Sequence, residues 1–110
     1  MPGASDIATG NIQNILMLQA ALTPAAVLTI TAPEQTFTVN GLLTTDMVFV
    51  MKPTAQAGLG IVGARVTAAN TLGITYVNPT VGSITPTAET YIILVVRAEN
   101  PQNPLPTAIV

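Results

Sequence analysis

Proline residues divide this sequence into short segments. Nine prolines occur in 110 residues, and beyond the N-terminal region they fall at Pro24, Pro33, Pro53, Pro79, Pro86, Pro101, Pro104 and Pro106. A proline costs about 3 kcal/mol inside a helix, and inside a central strand it removes a ladder hydrogen bond. Between the prolines Val, Ile and Thr are abundant, and these β-branched residues fit a pleated sheet better than a helix. We therefore predict an all-β protein.

Six segments have the composition of short strands. They are residues 27–31, 35–39, 47–51, 60–67, 72–77 and 91–97. Short strands separated by turn residues are typical of sandwiches and small barrels. The predicted fold is a single small β-sandwich or β-barrel with extended N- and C-terminal arms. Segment 47–51 is apolar on both faces, which predicts either a central strand or one sandwiched at a subunit contact.

The two ends of the chain are predicted to be arms around one domain. We expect an extended, partner-dependent N-terminal arm over residues 1–24, the β-domain over 25–99 and a Pro-rich tail over 100–110. Residues 11–21 fit either one short helical stripe or a strand through 14–18, and we favour an extended segment paired with a partner. The candidate partner-binding residues are Asn11, Ile12, Ile15, Leu16, Leu18, Leu105, Ile109 and Val110.

Charge is scarce along the whole chain. Three cations stand against five acids, and charged residues make up 7% of the sequence, where an ordinary domain has roughly 25%. So few cations cannot neutralise a run of phosphates or an anionic membrane, so we expect no nucleic-acid or membrane partner. A surface this poor in charge is unsuited to a freely soluble monomer. We expect much of it to be covered in a homo-oligomer or by another protein.

The residue types needed for catalysis are nearly absent. The chain has no His and no Cys, its only serines are Ser5 and Ser83, and its only lysine is Lys52. Nucleophilic catalysis needs a nucleophile and a base within reach of each other, and the five acids are dispersed rather than concentrated as in a calcium loop. We expect no enzyme activity, no cofactor and no metal site.

A glycine-rich string resembles a dinucleotide-binding motif but lacks its context. Gly58, Gly60 and Gly63 form G-x-G-x-x-G, a motif that must follow a strand and open a helix. Here the string leads into a β-rich run, so we predict a turn or bulge that lets two backbones approach closely. Asn70 is predicted to lie in a turn, because Asn tolerates left-handed backbone.

The remaining charged residues are predicted to make structural pairs. Arg65 and Arg97 are each flanked by apolar strand residues, and the planar guanidinium suits a partly buried ion pair. Their candidate partners are Asp46, Glu89 and Glu99, and an outward guanidinium at a strand end remains an alternative for both arginines. Asp46 and Lys52 flank an apolar strand, where we expect them to hold turns or pairs.

A string of motifs between residues 38 and 97 resembles a known group of proteins. The motifs are G-L at 41–42, D-x-V-x-V-x-K-P at 46–53, G-L-x-I-x-G-A-R-V-x-A-A-N-T-L-x-I-x-Y-x-N at 58–78 and Y-x-I-x-V-x-R at 91–97. In this order they resemble small virion proteins of tailed phages, of the capsid decoration or head cement type. The resemblance covers a little over half of the chain and leaves both ends outside it.

The resemblance implies a role in the virion. It implies a β-sandwich or β-barrel that assembles as a trimer on the capsid exterior and clamps neighbouring subunits of the major capsid protein together. The alternative is a tail-spike, fibre or other tail-associated module that recognises a host surface glycan. Glycan platforms use exposed aromatic residues, whereas Phe37, Phe49, Tyr76 and Tyr91 all lie in predicted strands, where core packing is the commoner use.

Overall fold

Six β-strands account for the regular structure of the chain. The computed structural model describes residues 10–99 together with Leu105 and Ala108, and it contains no helix among them. The strands are β1 (Ile12–Leu22), β2 (Glu34–Thr38), β3 (Met47–Met51), β4 (Gly60–Ala68), β5 (Thr71–Val77) and β6 (Glu89–Ala98). The all-β prediction is confirmed. The predicted arm residues Ile109 and Val110 lie outside the described residues.

The strands form two antiparallel sheets of three strands each. The first sheet has the order β1-β6-β3 and the second the order β2-β5-β4. Each sheet has two edge strands, so the fold is not a closed barrel, and that alternative from the sequence is wrong. A barrel requires every strand to pair on both sides, whereas here only β5 and β6 do.

Two predictions about individual strands are corrected by the structure. Segment 27–31 is not a strand: Val27 and Thr31 make isolated bridges to Ile84 and Asn78, and Ile30 between them has a positive φ of 53°. A left-handed residue cannot continue a strand, so this segment turns over the end of the second sheet. Strand β3 is not central either. The longer β6 takes the centre of the first sheet, and β3 lies at its edge.

The ambiguous N-terminal segment is extended rather than helical. Strand β1 pairs with β6 of the same chain from Ile12 opposite Ala98 to Leu22 opposite Glu89, with a bulge between Ile12 and Asn14. Eleven of the 24 residues of the expected N-terminal arm therefore form an edge strand that pairs within the chain's own sheet rather than with a partner. Its last residue, Leu22, is 5% exposed and belongs to the core.

One hydrophobic core joins the two sheets. The alternating residues of β5 and β6 that point inward are almost fully buried, and they are Leu72, Ile74, Tyr76, Tyr91, Ile93 and Val95. Two of them meet between the sheets, where the hydroxyl groups of Tyr76 and Tyr91 form a 2.9 Å hydrogen bond. Burial, together with this hydrogen bond, raises the pKa of Tyr76 well above the ordinary tyrosine value.

A buried amide anchors the loops at the end of the second sheet. The Asn78 side chain is fully buried, and its Nδ2 donates to the carbonyl oxygens of Val27 and Gly82 at 2.9 and 2.8 Å. Its Oδ1 accepts hydrogen bonds from the backbone N–H and the hydroxyl of Thr80. Because both donors and both acceptor sites are used, the amide is buried without an unsatisfied group.

We predict that the two tyrosine hydroxyls are energetically coupled. Tyr76→Phe or Tyr91→Phe alone leaves one buried hydroxyl without its partner and should lower the unfolding free energy by about 1–3 kcal/mol. The double variant removes both hydroxyls and should cost clearly less than the two single losses together. Urea unfolding of the four proteins measures this difference. Strictly additive losses would contradict the coupling.

Candidate functional site

One surface of the molecule is a sheet face made almost entirely of apolar side chains. Residues of β6 alternate with its buried residues, so Ile92, Leu94 and Val96 point away from the core. The register places an outward residue of β1 and one of β3 beside each of them. The three rows across the sheet are Ile15–Val96–Met47, Met17–Leu94–Phe49 and Gln19–Ile92–Met51. We call these nine residues the outer apolar face.

The edges of the outer apolar face are widely exposed. The exposed fractions are 62% for Ile15, 72% for Met17, 59% for Met47 and 52% for both Phe49 and Met51. The three β6 residues between them are half-buried by their neighbours. Gln19 is the single polar residue of the nine, and none is charged. Isolated exposed apolar residues are normal on protein surfaces, but a contiguous patch marks a contact site.

The outward face of the second sheet is polar and serves as an internal comparison. Polar residues and glycines make up most of it, namely Glu34, Thr36, Thr38, Thr71, Gly73, Thr75, Gly63 and Arg65, and the alternation along β5 also places Val77 there. Arg65 binds Glu34 with two hydrogen bonds of 2.8 and 2.9 Å across the central strand β5. A Cβ atom at Gly73 would lie 2.7 Å from Glu34 Oε2, so a glycine there leaves room for this pair. This face has the composition of a solvated surface, which the outer apolar face lacks.

The free edge of the first sheet is also unprotected. Strand β1 lies at the edge of its sheet, and its eleven residues contain no charge and no proline. Proteins usually protect edge strands with lysine, proline or bulges, because the unpaired N–H and C=O groups otherwise bind another strand. Here the one such device is the bulge between Ile12 and Asn14. Ile12, Ile15 and Leu16 of this strand are also exposed.

Three residues singled out from the sequence meet at one end of the two sheets. Arg97 binds Asp46 with two hydrogen bonds of 2.8 and 2.7 Å and donates a third to the Gly41 carbonyl oxygen. Asn70, with a positive φ of 61°, accepts a hydrogen bond from the Gly41 N–H through its side chain. The loop that crosses from β2 to β3 is thereby held to both sheets, with Leu42 buried beneath it.

The Asp46 carboxylate is the most enclosed charge among the described residues. Its side chain has no exposed surface, and that of Arg97 is 22% exposed. Hydrogen bonds from Arg97, and a further one from the Leu43 N–H, hold the pKa of Asp46 below its usual range although burial opposes this shift. The Asp46–Arg97 pair is therefore ionised at neutral pH, and its role is to hold the loop between β2 and β3 in place.

Lys52 and Glu89 form a second enclosed pair at the opposite end of the first sheet. Lys52 Nζ lies 2.8 Å from Glu89 Oε2, and the two side chains are 9% and 13% exposed. Glu89 Oε1 also accepts a 2.6 Å hydrogen bond from the Thr54 hydroxyl. Hydrogen bonds from Lys52 and then Thr54 lower the pKa of Glu89. This pair holds the connection that leaves β3 towards the second sheet.

The three glycines of the G-x-G-x-x-G string have separate structural roles. Gly58 has a φ of 80°, and a Cβ atom there would clash with Thr80 Cγ2, so this turn has no room for a larger residue. Gly60 begins β4, and Gly63 lies where the β4–β5 register shifts at a bulge. The string runs into β4 itself, and none of the described residues after it forms the helix that a nucleotide-binding motif requires.

The described part of the chain offers little chemistry for catalysis. Residues 10–99 contain no group of three or more acidic, His or Cys side chains that could hold a metal ion. A groove of about 300 Å³ lies between β3 and β4, and its one charged lining residue is Lys52, whose ammonium group is already engaged by Glu89. Within the same residues no helix is long and apolar enough to cross a membrane.

Comparison of the chain with known protein families, characterised proteins and solved structures found no match. The resemblance of the motifs between residues 38 and 97 to phage virion proteins therefore stays a prediction from the sequence.

Sequence reasoning missed one ion-pair partner and the main exposed surface. Glu34, which pairs with Arg65, is not among the acids that the sequence suggests, because it lies outside the predicted strands and no spacing rule connects the two. The sequence indicates only one part of the outer apolar face, because segment 47–51 is apolar on both sides. Glu99, the third expected acid, donates its backbone N–H to the Asn11 carbonyl oxygen.

The two arginine pairs should differ in their contribution to stability. Arg97→Met leaves the enclosed Asp46 carboxylate without its main partner and should lower the unfolding free energy by about 3 kcal/mol. Arg65→Met is the matched control, and it should change the melting temperature little because the Arg65 side chain is 70% exposed. Thermal unfolding at pH 7 compares them. Equal melting temperatures for the two variants would contradict this difference.

The three paired carboxylates predict how the free energy of unfolding depends on pH. Because the folded-state pKa values of Asp46, Glu34 and Glu89 are all lowered, the unfolded chain binds more protons in acid. The stabilisation that these three carboxylates contribute is complete at a pH above their unfolded-state pKa values, which lie near 4. It is lost as the pH falls through their folded-state pKa values. Asp46→Asn should be less stable than the natural chain at pH 7, and the difference should shrink below about pH 4. A difference independent of pH would be inconsistent with an ionised Asp46.

Proposed function

We propose that this chain is a structural protein of a tailed-phage virion, a capsid decoration or cement protein with a β-sandwich domain. In this proposal it binds the assembled head from the outside, as an oligomer, and stabilises contacts between subunits of the major capsid protein. The motif resemblance over residues 38–97 suggests this class. The observation that carries the proposal is the difference between the outward faces of the two sheets. Exposure of the outer apolar face to water is unfavourable, so a subunit with this face is better suited to a contact than to full solvation.

The proposed mechanism is mass action. A protein that binds the closed shell but not its separated parts stabilises the shell by its binding free energy. Strand β1 suits such binding, because its free edge offers backbone donors and acceptors to a neighbouring chain. The Pro-rich tail over residues 100–110 is the second proposed contact, and of it the structure describes Leu105, which is 61% exposed, and Ala108.

The placement of the aromatic residues favours this proposal over glycan recognition. Tyr76 and Tyr91 are fully buried and bind each other, and Phe37 is packed against the core. Phe49 is the one aromatic residue that is exposed, and aliphatic and Met side chains surround it. A sugar-binding surface needs exposed aromatic rings accompanied by polar groups that bind hydroxyls. The surroundings of Phe49 do not provide that combination.

The position of the chain in virions tests the proposed function. Cryo-electron microscopy of particles that contain it should show many symmetric copies on the head lattice. A few copies at the tail tip would instead support host recognition and would overturn the decoration role.

Terminal deletions test the proposed contacts. Removal of residues 1–10 or 101–110 should lower occupancy on purified heads while the melting temperature stays unchanged, because β1 and the core are retained. Removal of residues 12–22 is not an equivalent test, since it deletes a strand of the first sheet. Full occupancy after both terminal deletions would refute the role of the ends.

A further inference from the structure

We propose that the outer apolar face binds a second copy of this chain, sheet against sheet, in a two-fold dimer. The inference deepens the proposed function, because it names the partner that covers this face, and it rests on that function only for the expectation that the chain assembles. The area, the charge and the shape of the face each support this dimer.

The exposed area of the face approaches what one side of a stable dimer interface buries. With about 200 Å² for the surface of one large side chain, the five most exposed residues of the outer apolar face present roughly 600 Å². The half-buried β6 residues and Gln19 increase this figure. A specific interface buries about 800 Å² per partner, whereas the largest patch on an ordinary monomer is about 300–600 Å². The face is thus close in size to one side of a standard interface.

The composition of the face suits contact with an identical face. In a two-fold interface each patch meets its own copy, so any charge near the axis would meet a like charge. None of the nine residues is charged, and the long-range repulsion is small because the net charge is −2. The charged residues Lys52, Asp46 and Arg97 are engaged in pairs at the ends of the sheet. A partner of opposite charge would gain nothing from such a face.

The shape also fits two packed sheets. Two sheets pack face to face about 10 Å apart, with their strands nearly aligned, when each presents a continuous layer of side chains. The outer apolar face presents three rows over three antiparallel strands. Its flexible Met17, Met47 and Met51 side chains can fill the gaps between two such layers. A trimer, which the motif resemblance implies, would instead need two different patches on each chain.

The oligomeric state of the purified chain tests this proposal. Sedimentation equilibrium of the full chain at about 10–100 µM should give the mass of a dimer. Met17→Glu and Phe49→Glu each place a charge in the central row of the face and should weaken the dimer at least tenfold. Thr38→Glu places the same charge on the exposed face of the second sheet and should leave the dimer intact. A monomeric or trimeric natural chain, or dimers unaffected by both face variants, would overturn the proposal.

A measurement on the unaltered chain covers the case in which the charged variants do not fold. Met17, Met47 and Met51 all lie in the face, so association should protect them from oxidation by dilute hydrogen peroxide. Their oxidation rates, measured by peptide mass spectrometry against added free methionine, should fall severalfold as the chain concentration rises through the dimerisation range. Rates independent of concentration would overturn the proposal.

The outcomes separate this inference from the proposed function. A dimer that fails to bind heads would overturn the decoration role and leave the dimer interface in place. A monomer that binds heads would overturn the interface and leave the decoration role.

Discussion

The structure depends on burying the inward faces of two central strands in one core. Strands β5 and β6 each pair on both sides, and their inward residues are almost completely shielded from water. The Tyr76–Tyr91 hydrogen bond lies between them and satisfies two hydroxyls that would otherwise be buried at a cost. The edge strands are held in place by these two, so the orientation of every outward residue follows from which β5 and β6 residues face inward.

The charged residues of the chain serve mainly to hold the connections between the sheets. All three cations are paired, Lys52 with Glu89, Arg65 with Glu34 and Arg97 with Asp46. Two of the pairs close the ends of the first sheet, where the chain crosses to and from the second. The charged side chains that the structure describes are thus largely used in structural pairs, and the outer apolar face has no charged residue.

The difference between the two outward faces connects the fold with the proposed role. The second sheet has threonines and an exposed ion pair on its outside, while the first has eight apolar residues and Gln19. Burial of one such face against a partner is favourable by the hydrophobic effect, and the free edge of β1 adds backbone hydrogen bonds to the available contacts. These two features are the structural basis of the proposed assembly role.

The all-β class and the positions of five strands follow from the sequence alone, because proline spacing and β-branched composition act locally. The two apolar faces of segment 47–51 also predict a subunit contact, and that contact stays a prediction. Three features came only from the folded chain, namely that β6 rather than β3 is central, that residues 12–22 belong to the chain's own sheet and that Arg65 pairs with Glu34. These features depend on which distant segments pair and in what register, and a one-residue change of register would exchange the buried and exposed faces. Local composition does not specify the pairing or the register, because the packing of β5 and β6 in their shared core sets both.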